Sequence, residues 1–502
     1  PLHVAIIGCL LGIFVGDFFI YLLGRVLGRP GLELPVIRRL MNQDRVDGIA
    51  RWLDEKGLAW VVSTRFIPGS RVPTYFVAGV VKANAFRFAF ALFLGAAIWT
   101  PAIVGLSYIM GGAFLEFFDQ YEGWALLGLL ISSLAILTLV RIAAGLLSWR
   151  GRRMLYSRFK RTIRWEYWPM WLFYPPIIGF VLWKMVRHRS ITMLTAVNPC
   201  MPASGLVYES KGDILSHLQK FGSPVGLFEV IPLDWDLERK KTFLSEFMSD
   251  QGLSYPIVLK PDVGQRGQGV EVIDSEEEAM RFFEAQEEDT VAQEFLPGRE
   301  YGIFYYRYPN EEKGRVFSIT DKRLISVKGN GQSNLERLIL ADDRAVGMAK
   351  FFLKAHRQDL ERVIPEGDVY SLTELGTHCR GALFLDGEGL ITPELEEAVD
   401  AMSREVEGFH FGRYDIRVPS EADLMAGRNL RIIELNGLTS ESTNIYDPKH
   451  SLSFAYRTLF EQFRIAFGIA EASIEIGNRT DGLRDTFRLI IRYALGKPSD
   501  RK

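Results

Sequence analysis

Apolar and polar positions divide the chain of 502 residues into two unlike halves. Up to about residue 190 the apolar residues come in long uninterrupted runs; beyond it they come in short runs between charged segments. Stretches 2–27, 86–114 and 124–147 are each long enough to cross about 30 Å of hydrocarbon as helices. They predict three transmembrane spans. Between the first two lies a polar, helix-like stretch, 38–56, and then LAWVVSTRFIPGSRVPTYFVAGVV, whose two arginines and two prolines do not suit a lipid-facing span. Broken backbone at membrane depth is tolerated only where protein or a wet cavity surrounds it. Residues 58–81 are therefore expected to form a re-entrant hairpin, helix, break and helix. From Ser190 onward the runs ITMLTAV, YPIVLKP, GVEVID, TVAQEFL and RIIELNG read as strands alternating with amphipathic helices, which predicts an α+β domain.

The junction between the halves is basic: Arg150, Arg152, Arg153, Arg158, Lys160, Arg161 and Arg164 follow the last span and mark a cytoplasmic end. The next stretch, WEYWPMWLFYPPIIGFVLWKMV, is short, is interrupted by Pro175 and Pro176, and carries Lys184, Arg187 and Arg189 on its far side. A crossing would strand one basic cluster outside, so an interfacial segment resting on the inner leaflet is expected. The domain plan is then a polytopic helical membrane domain over 1–150, a juxtamembrane segment over 151–189, a cytoplasmic α+β domain over 190–470 and a helical tail over 471–502. The expected location is the inner (plasma) membrane, multi-pass.

Composition changes this picture little. A chain of this length is too long for one core, and a formal net charge of −2 gives no reason to expect a nucleic-acid partner. The three cysteines are too few and too scattered for a disulfide framework or a thiolate metal site. The chain opens at Pro1 inside an apolar run, so it reads as a piece from which preceding residues have been removed.

Arg65 and Arg71 flank the break at Pro68 and Gly69. Intramembrane charges face a partner, an anion or water, and two readings stand side by side: a phosphate held between guanidiniums, or snorkelling to the interface or pairing with Asp17 for structure alone. The pattern G-x3-GD-x3-Y-x2-GR, from Gly12 to Arg25, followed by RFIPGSRVPTYFVAG, resembles the DedA or SNARE-associated (VTT) membrane family over roughly 1–145. The resemblance implies that Arg65 and Arg71 are the paired arginines of the second re-entrant hairpin. It also implies transport or scrambling of a lipid phosphate such as a polyprenyl phosphate. The family's acidic first hairpin is not among these residues.

In the second half, Lys260 ends one strand and Gly264, Gly267 and Gly269 form the turn to the next, a place where backbone N–H groups and an ammonium approach phosphate. The spacing fits neither a Walker A loop nor a Rossmann fingerprint. Glu434 and Asn436 alternate on one strand and so project to one face; with Asp415 from a neighbouring strand they offer hard oxygen donors suited to magnesium at a nucleotide. The order YPIVLKPDVGQRGQG, VAQEFLPGREYGI, GRYDIRV, RIIELNG resembles the ATP-grasp superfamily, in its D-alanine–D-alanine ligase and cyanophycin or glutathione synthetase branches. That resemblance implies ATP with Mg2+ or Mn2+. It implies phosphates clamped by Lys211 and Lys260, a hinge from Glu294 to Leu296 reading adenine, and Glu300 on the ribose. Arg413 and Lys322 would stabilise the phosphoryl group in transfer. His378, Arg380 and Ser440 would contact the small-molecule carboxylate and amine substrates. The implied activity is a carboxylate–amine or carboxylate–thiol ligase; the alternative is a lipid-phosphate transporter regulated by a nucleotide-binding domain. The usual substrate-binding domain before the first lysine is missing, so the membrane surface is expected to take its place and favour a lipid-linked substrate.

Overall fold

The computed structural model describes residues 2–28, 49, 61–62, 64–65, 70–120, 125–207, 210–264, 269–373, 376–377 and 381–494. Stretch 38–56, the break at Pro68 and Gly69, Gly267, His378 and Arg380 lie outside the described residues. The chain divides into two compact units, 1–151 and 152–502, each taken here by itself.

The first unit is helical: α1 (Leu2–Leu27), α2 (Arg71–Val80), α3 (Ala85–Gln120) and α4 (Ala125–Leu146). Among the described residues two helical stretches are long and apolar enough to cross a membrane, Leu2–Leu27 and Ala85–Ile109; the described apolar run in α4 is Leu130–Val140. Helices α1 and α2 approach through glycines. A Cβ on Gly24 would stand 2.0 Å from the Phe76 carbonyl oxygen, and one on Gly79 would stand 2.1 Å from that of Tyr21. Around this contact Tyr21, Tyr75, Phe88 and Leu92 are buried, with the Tyr21 and Phe88 rings stacked at 4.5 Å. The hairpin expected over 58–81 is described at its helical start, 61–62, and through α2.

Helix α5 (Trp149–Ile163) leads into the second unit. There Arg153 donates to the carbonyls of Leu340 and Ala341. Helix α6 (Pro175–Arg187) follows, started by its two prolines at the first helical positions, where no N–H is needed. The juxtamembrane stretch belongs to this unit's core, so the separate segment expected over 151–189 is corrected. Phe173 and Ile177 are buried against Ile445, Ala455 and Leu459, the last two on α11 (Leu452–Glu475), while Ile178, Leu182 and Val186, spaced by four residues, stay exposed on the outer side of α6.

The remainder is built on two principal antiparallel sheets. The smaller has order β1–β4–β2–β3, from β1 (Phe228–Ile231), β2 (Ile257–Pro261), β3 (Glu271–Ile273) and β4 (Thr290–Glu294). Helix α7 (Lys211–Lys220) precedes it, and α8 (Leu237–Asp250) and α9 (Glu276–Ala285) supply Leu244, Phe247, Phe282 and Phe283 to its core. Alternation along β2 sends Ile257 and Leu259 into that core and leaves Lys260 for the other side. The larger sheet has order β11–β10–β5–β6–β9, from β5 (Arg299–Tyr306), β6 (Arg315–Arg323), β9 (Leu383–Asp386), β10 (Phe411–Val418) and β11 (Arg431–Asn436). A short separate pair joins β7 (Ser326–Lys328) to β8 (Val369–Ser371). One face of the larger sheet packs Tyr301, Ile303, Ile319, Tyr414 and Ile416 against Leu395, Val399 and Met402 of α10 (Pro393–Glu405). The other face is apolar at one end, where Phe304 and Phe411 pack against Ile465 and Ile469 of α11, and polar at the other. Helix α11 runs through the boundary expected at residue 470, and α12 (Leu483–Ala494) closes the described chain.

Candidate nucleotide and metal site

Strand register assembles the polar face row by row. Glu434 lies opposite Asp415, Asp415 opposite Gly302, and Gly302 opposite Thr320. In the next row Asn436 faces Arg413, and in another Arg417 faces Glu300, which faces Lys322. Because directly opposed residues share a face, four strands place three cations among three carboxylates and one amide. Gly302 makes the space. A Cβ there would stand 3.2 Å from Arg413 Cδ, 3.3 Å from Asp415 Oδ1 and 3.5 Å from Lys322 Cε.

The ion pairs are short and shielded. Lys322 Nζ is 2.9 Å from Glu300 Oε1 and 3.0 Å from Asp415 Oδ2. Arg413 donates through Nε to Asp415 Oδ1 at 3.0 Å, and Arg417 Nη2 is 3.4 Å from Glu300 Oε2. Burial pushes the Asp415 carboxyl up, but Arg413 and Lys322 beside it more than offset this and hold it below the usual carboxylate range. Burial likewise works against the Lys322 ammonium, and Asp415 and Glu300 overcome it, raising its affinity for the proton.

Lys260 reaches this face from the smaller sheet. Its Nζ donates to Gln293 Oε1 at 2.9 Å and to the Ile433 carbonyl at 3.1 Å. That carbonyl is available because pairing between β10 and β11 slips between Asp415 and Ile416, leaving Ile433 as an extra residue in β11. Burial pushes the Lys260 ammonium down to about 8, with Lys211 adding to the effect and Glu434 opposing it. Beside the cluster are two open clefts of about 770 and 660 Å3 that share Phe295 and Leu324, the second lined by Glu300, Lys322, Arg417 and Gly376. Both are within the size range of small-ligand sites.

Several expected residues are employed otherwise. Lys211, expected at the phosphates, donates to three backbone carbonyls, of Pro261, Asp262 and Gly264, at the start of the glycine turn. Gly269, at φ +71, has its missing Cβ 2.7 Å from Pro261 Cγ, which only glycine satisfies. Glu300, expected on the ribose, is paired with Lys322 and Arg417. The Leu296 carbonyl accepts from Arg417, and the Glu294 carboxylate pairs with Arg431. Ser440, expected at the substrate, is buried and closes a turn, donating to the Gly437 carbonyl at 2.5 Å. The unforeseen members are Gly302, Gln293 and Arg417. Arg417 stands two residues beyond Asp415 in RYDIRV, so the same alternation that marks Arg413 and Asp415 would have found it.

Metal donors pass a partial test. Among the described residues no group of three or more His, Cys, Asp or Glu side chains is disposed to hold an ion. The set offered is two carboxylates and an amide. Asp415 commits both oxygens to cations, whereas among the described residues Glu434 makes no hydrogen bond or ion pair; Asn436 Nδ2, buried without a partner among those residues, is a donor suited to a phosphate oxygen and leaves the amide oxygen as the ligand. The donors therefore suit a hard ion that completes its shell with phosphate oxygens and water.

In the first unit Asp17 takes both arginines: Arg65 Nη2 lies 2.7 Å and Arg71 Nη2 2.8 Å from Asp17 Oδ2. Arg65 Nε and Nη1 and Arg71 Nε are buried without a hydrogen-bond partner among the described residues. The trio carries two guanidiniums for one carboxylate.

A helical unit with two helices of membrane-spanning length, in one chain with an α+β unit that has a charged sheet face, outlines a membrane protein with a candidate polar site. Residues 1–109 match the VTT domain family model. An uncharacterized membrane protein of Haemophilus influenzae is 30% identical over 100 residues, 20% of this chain and 47% of that protein's length. Undecaprenyl phosphate transporter A of Bacillus subtilis is 30% identical over 139 residues, 28% of this chain and 67% of the transporter. Through its N-terminal part the chain belongs to the VTT-domain family. Among solved structures, it is similar to a bifunctional glutathione synthetase from Pasteurella multocida, at 14% identity and TM-score 0.30, covering 52% of this chain and 37% of that one. It is also similar to a D-alanine–D-alanine ligase from Bacillus anthracis in complex with ATP, at 14% identity and TM-score 0.30, covering 53% and 67%. Scores of this size describe a partial likeness of shape; the chemistry proposed below rests on the side chains of the sheet.

Proposed function

We propose that the second unit is an ATP-dependent ligase of the ATP-grasp type, requiring Mg2+ or Mn2+ and held at the membrane by a VTT domain that handles a lipid phosphate. One observation carries the reading: the polar face on which Lys322, Arg413 and Arg417 alternate with Glu300, Asp415, Glu434 and Asn436, with Lys260 reaching it from the other sheet. Lys260 and Lys322 draw the triphosphate into the site. Arg413 neutralises charge on the phosphoryl group in transfer. A carboxylate oxygen of the substrate attacks the γ-phosphorus and ADP leaves. An amine or thiol then attacks the acyl carbon of the resulting acyl phosphate and expels phosphate. Glu434 and Asn436, with Asp415, would hold the metal, which when bound supplies charge neutralisation between the phosphates.

In the membrane unit, the excess guanidinium of the Asp17, Arg65 and Arg71 trio suits an anionic headgroup, and the exposed stripe Ile178, Leu182 and Val186 suits the bilayer surface. The substrate class that fits is lipid-linked. Glu434→Gln keeps shape and removes the donor charge. Magnesium-dependent ADP release by the full chain in lipid nanodiscs should fall at least 100-fold, roughly what one essential charge at a phosphoryl-transfer site contributes. Undiminished release would remove the metal assignment.

A further inference from the structure

Arg413 is held at three points. Two are on its own strand, Nε and Nη2 to the Asp415 carboxylate at 3.0 and 3.4 Å. The third is Nη1 to the backbone carbonyl of Glu441 at 3.0 Å, on the loop that follows β11. The position of that loop therefore sets the direction of the guanidinium.

The Glu441 side chain reaches the juxtamembrane stretch, while its charge also acts on Arg413. Its Oε1 accepts from the Tyr174 hydroxyl at 2.7 Å and its Oε2 from the Tyr446 hydroxyl at 3.1 Å. Tyr174 is the residue that caps α6, immediately before Pro175. Its neighbours fix it firmly. Phe173 is buried and stacks on Tyr456 at 5.3 Å, and Trp165 stacks on Phe173 at 5.2 Å and on Tyr446 at 5.6 Å. Tyr456 donates to the Phe173 carbonyl at 3.0 Å, and Trp165 Nε1 to the His450 carbonyl. On its other side the loop is tied to the sheet by Ser442 to Ser318 and by Thr443 to Thr320. The loop thus hangs between the sheet and an aromatic clamp supplied by the residues that leave the membrane domain.

We propose that Tyr174 and Glu441 are positioning residues for Arg413, so that the juxtamembrane stretch is a working part of the ligase site. The inference rests on the ligase reading above and adds a residue set outside the sheet. Tyr174 acts on Arg413 through Glu441, and its hydroxyl also meets that of Tyr446. Its hydroxyl holds the carboxylate, the carboxylate holds the loop, and the loop carbonyl aims Arg413 at the phosphoryl group.

The test uses the full chain in nanodiscs, with Tyr174→Phe, Glu441→Gln and the double variant. Each single change should slow magnesium-dependent ADP release about tenfold, the scale of one hydrogen bond to a charged group. Affinity for a fluorescent ATP analogue should stay within about twofold, because Arg413 acts on the transferring group and the lysines bind the nucleotide. The double variant should be no slower than the slower single one, since both act on one chain of contacts. Losses that multiply, or an unchanged rate in Tyr174→Phe, would overturn the proposal. If the unaltered protein releases no ADP, the ligase reading falls instead, and amide hydrogen exchange over 438–446 decides the clamp. Faster exchange in Tyr174→Phe supports it, and identical exchange ends it.

Discussion

At the residue scale, Lys260 gives the proposed nucleotide site a dependence on pH. Its ammonium titrates near 8 because burial disfavours the charge, and phosphate needs the charged form. ATP affinity should therefore be flat below pH 7 and about tenfold weaker at pH 9, and Lys260→Arg should flatten the profile. Equilibrium binding of a fluorescent ATP analogue across that range checks it. The sign for folding is opposite. Between about 8 and the unfolded value of 10.5 the native state binds fewer protons than the unfolded chain, so this residue's contribution to stability rises with pH over that window. Arg413, Asp415, Glu434 and Asn436 were legible in the sequence because a strand's period of two puts alternate residues on one face. The partners of Lys211 and Ser440 were not legible, because they are backbone carbonyls, and no side-chain pattern announces a carbonyl. Gly302 was invisible for a related reason: its importance is the room it leaves.

At the scale of elements, the two long apolar helices Leu2–Leu27 and Ala85–Ile109 were legible from apolar run length, and the contact of the first with α2 was not. Gly24 and Gly79 each meet backbone atoms of the opposing helix, which no rotamer change can relieve. Gly79→Ala should force α1 and α2 apart and lower stability by about 2 kcal/mol, read as a lower midpoint of thermal unfolding in detergent. Gly12 has nothing within 4 Å of a Cβ among the described residues, and Gly12→Ala should leave the midpoint unchanged or slightly raised. Equal losses from the two changes would show that the close approach is not what matters. The juxtamembrane stretch illustrates the limit in reverse. An aromatic, apolar run with basic flanks has the same pattern whether its apolar side meets lipid or protein. In this molecule Phe173 and Ile177 meet protein while Ile178, Leu182 and Val186 do not.

At the scale of the whole molecule, the change of solvent along the sequence and the boundary between folded units fall at different places. Hydropathy turns polar near residue 190, whereas the second unit begins at Arg152. A protein trimmed to start at Ser190 would leave Ile445, Ala455 and Leu459 without Phe173 and Ile177 above them and Glu441 without Tyr174. Stripping two such side chains from a core costs on the order of 3 to 6 kcal/mol. The version starting at Arg152 should therefore unfold at a temperature higher by several degrees, as scanning calorimetry would measure; equal midpoints would contradict this. Where a fold begins also decides where evolution can cut: residues 152–189 travel with the second unit, so a gene fusion that exchanged its parts intact would have to break before Arg152 and not where hydropathy changes.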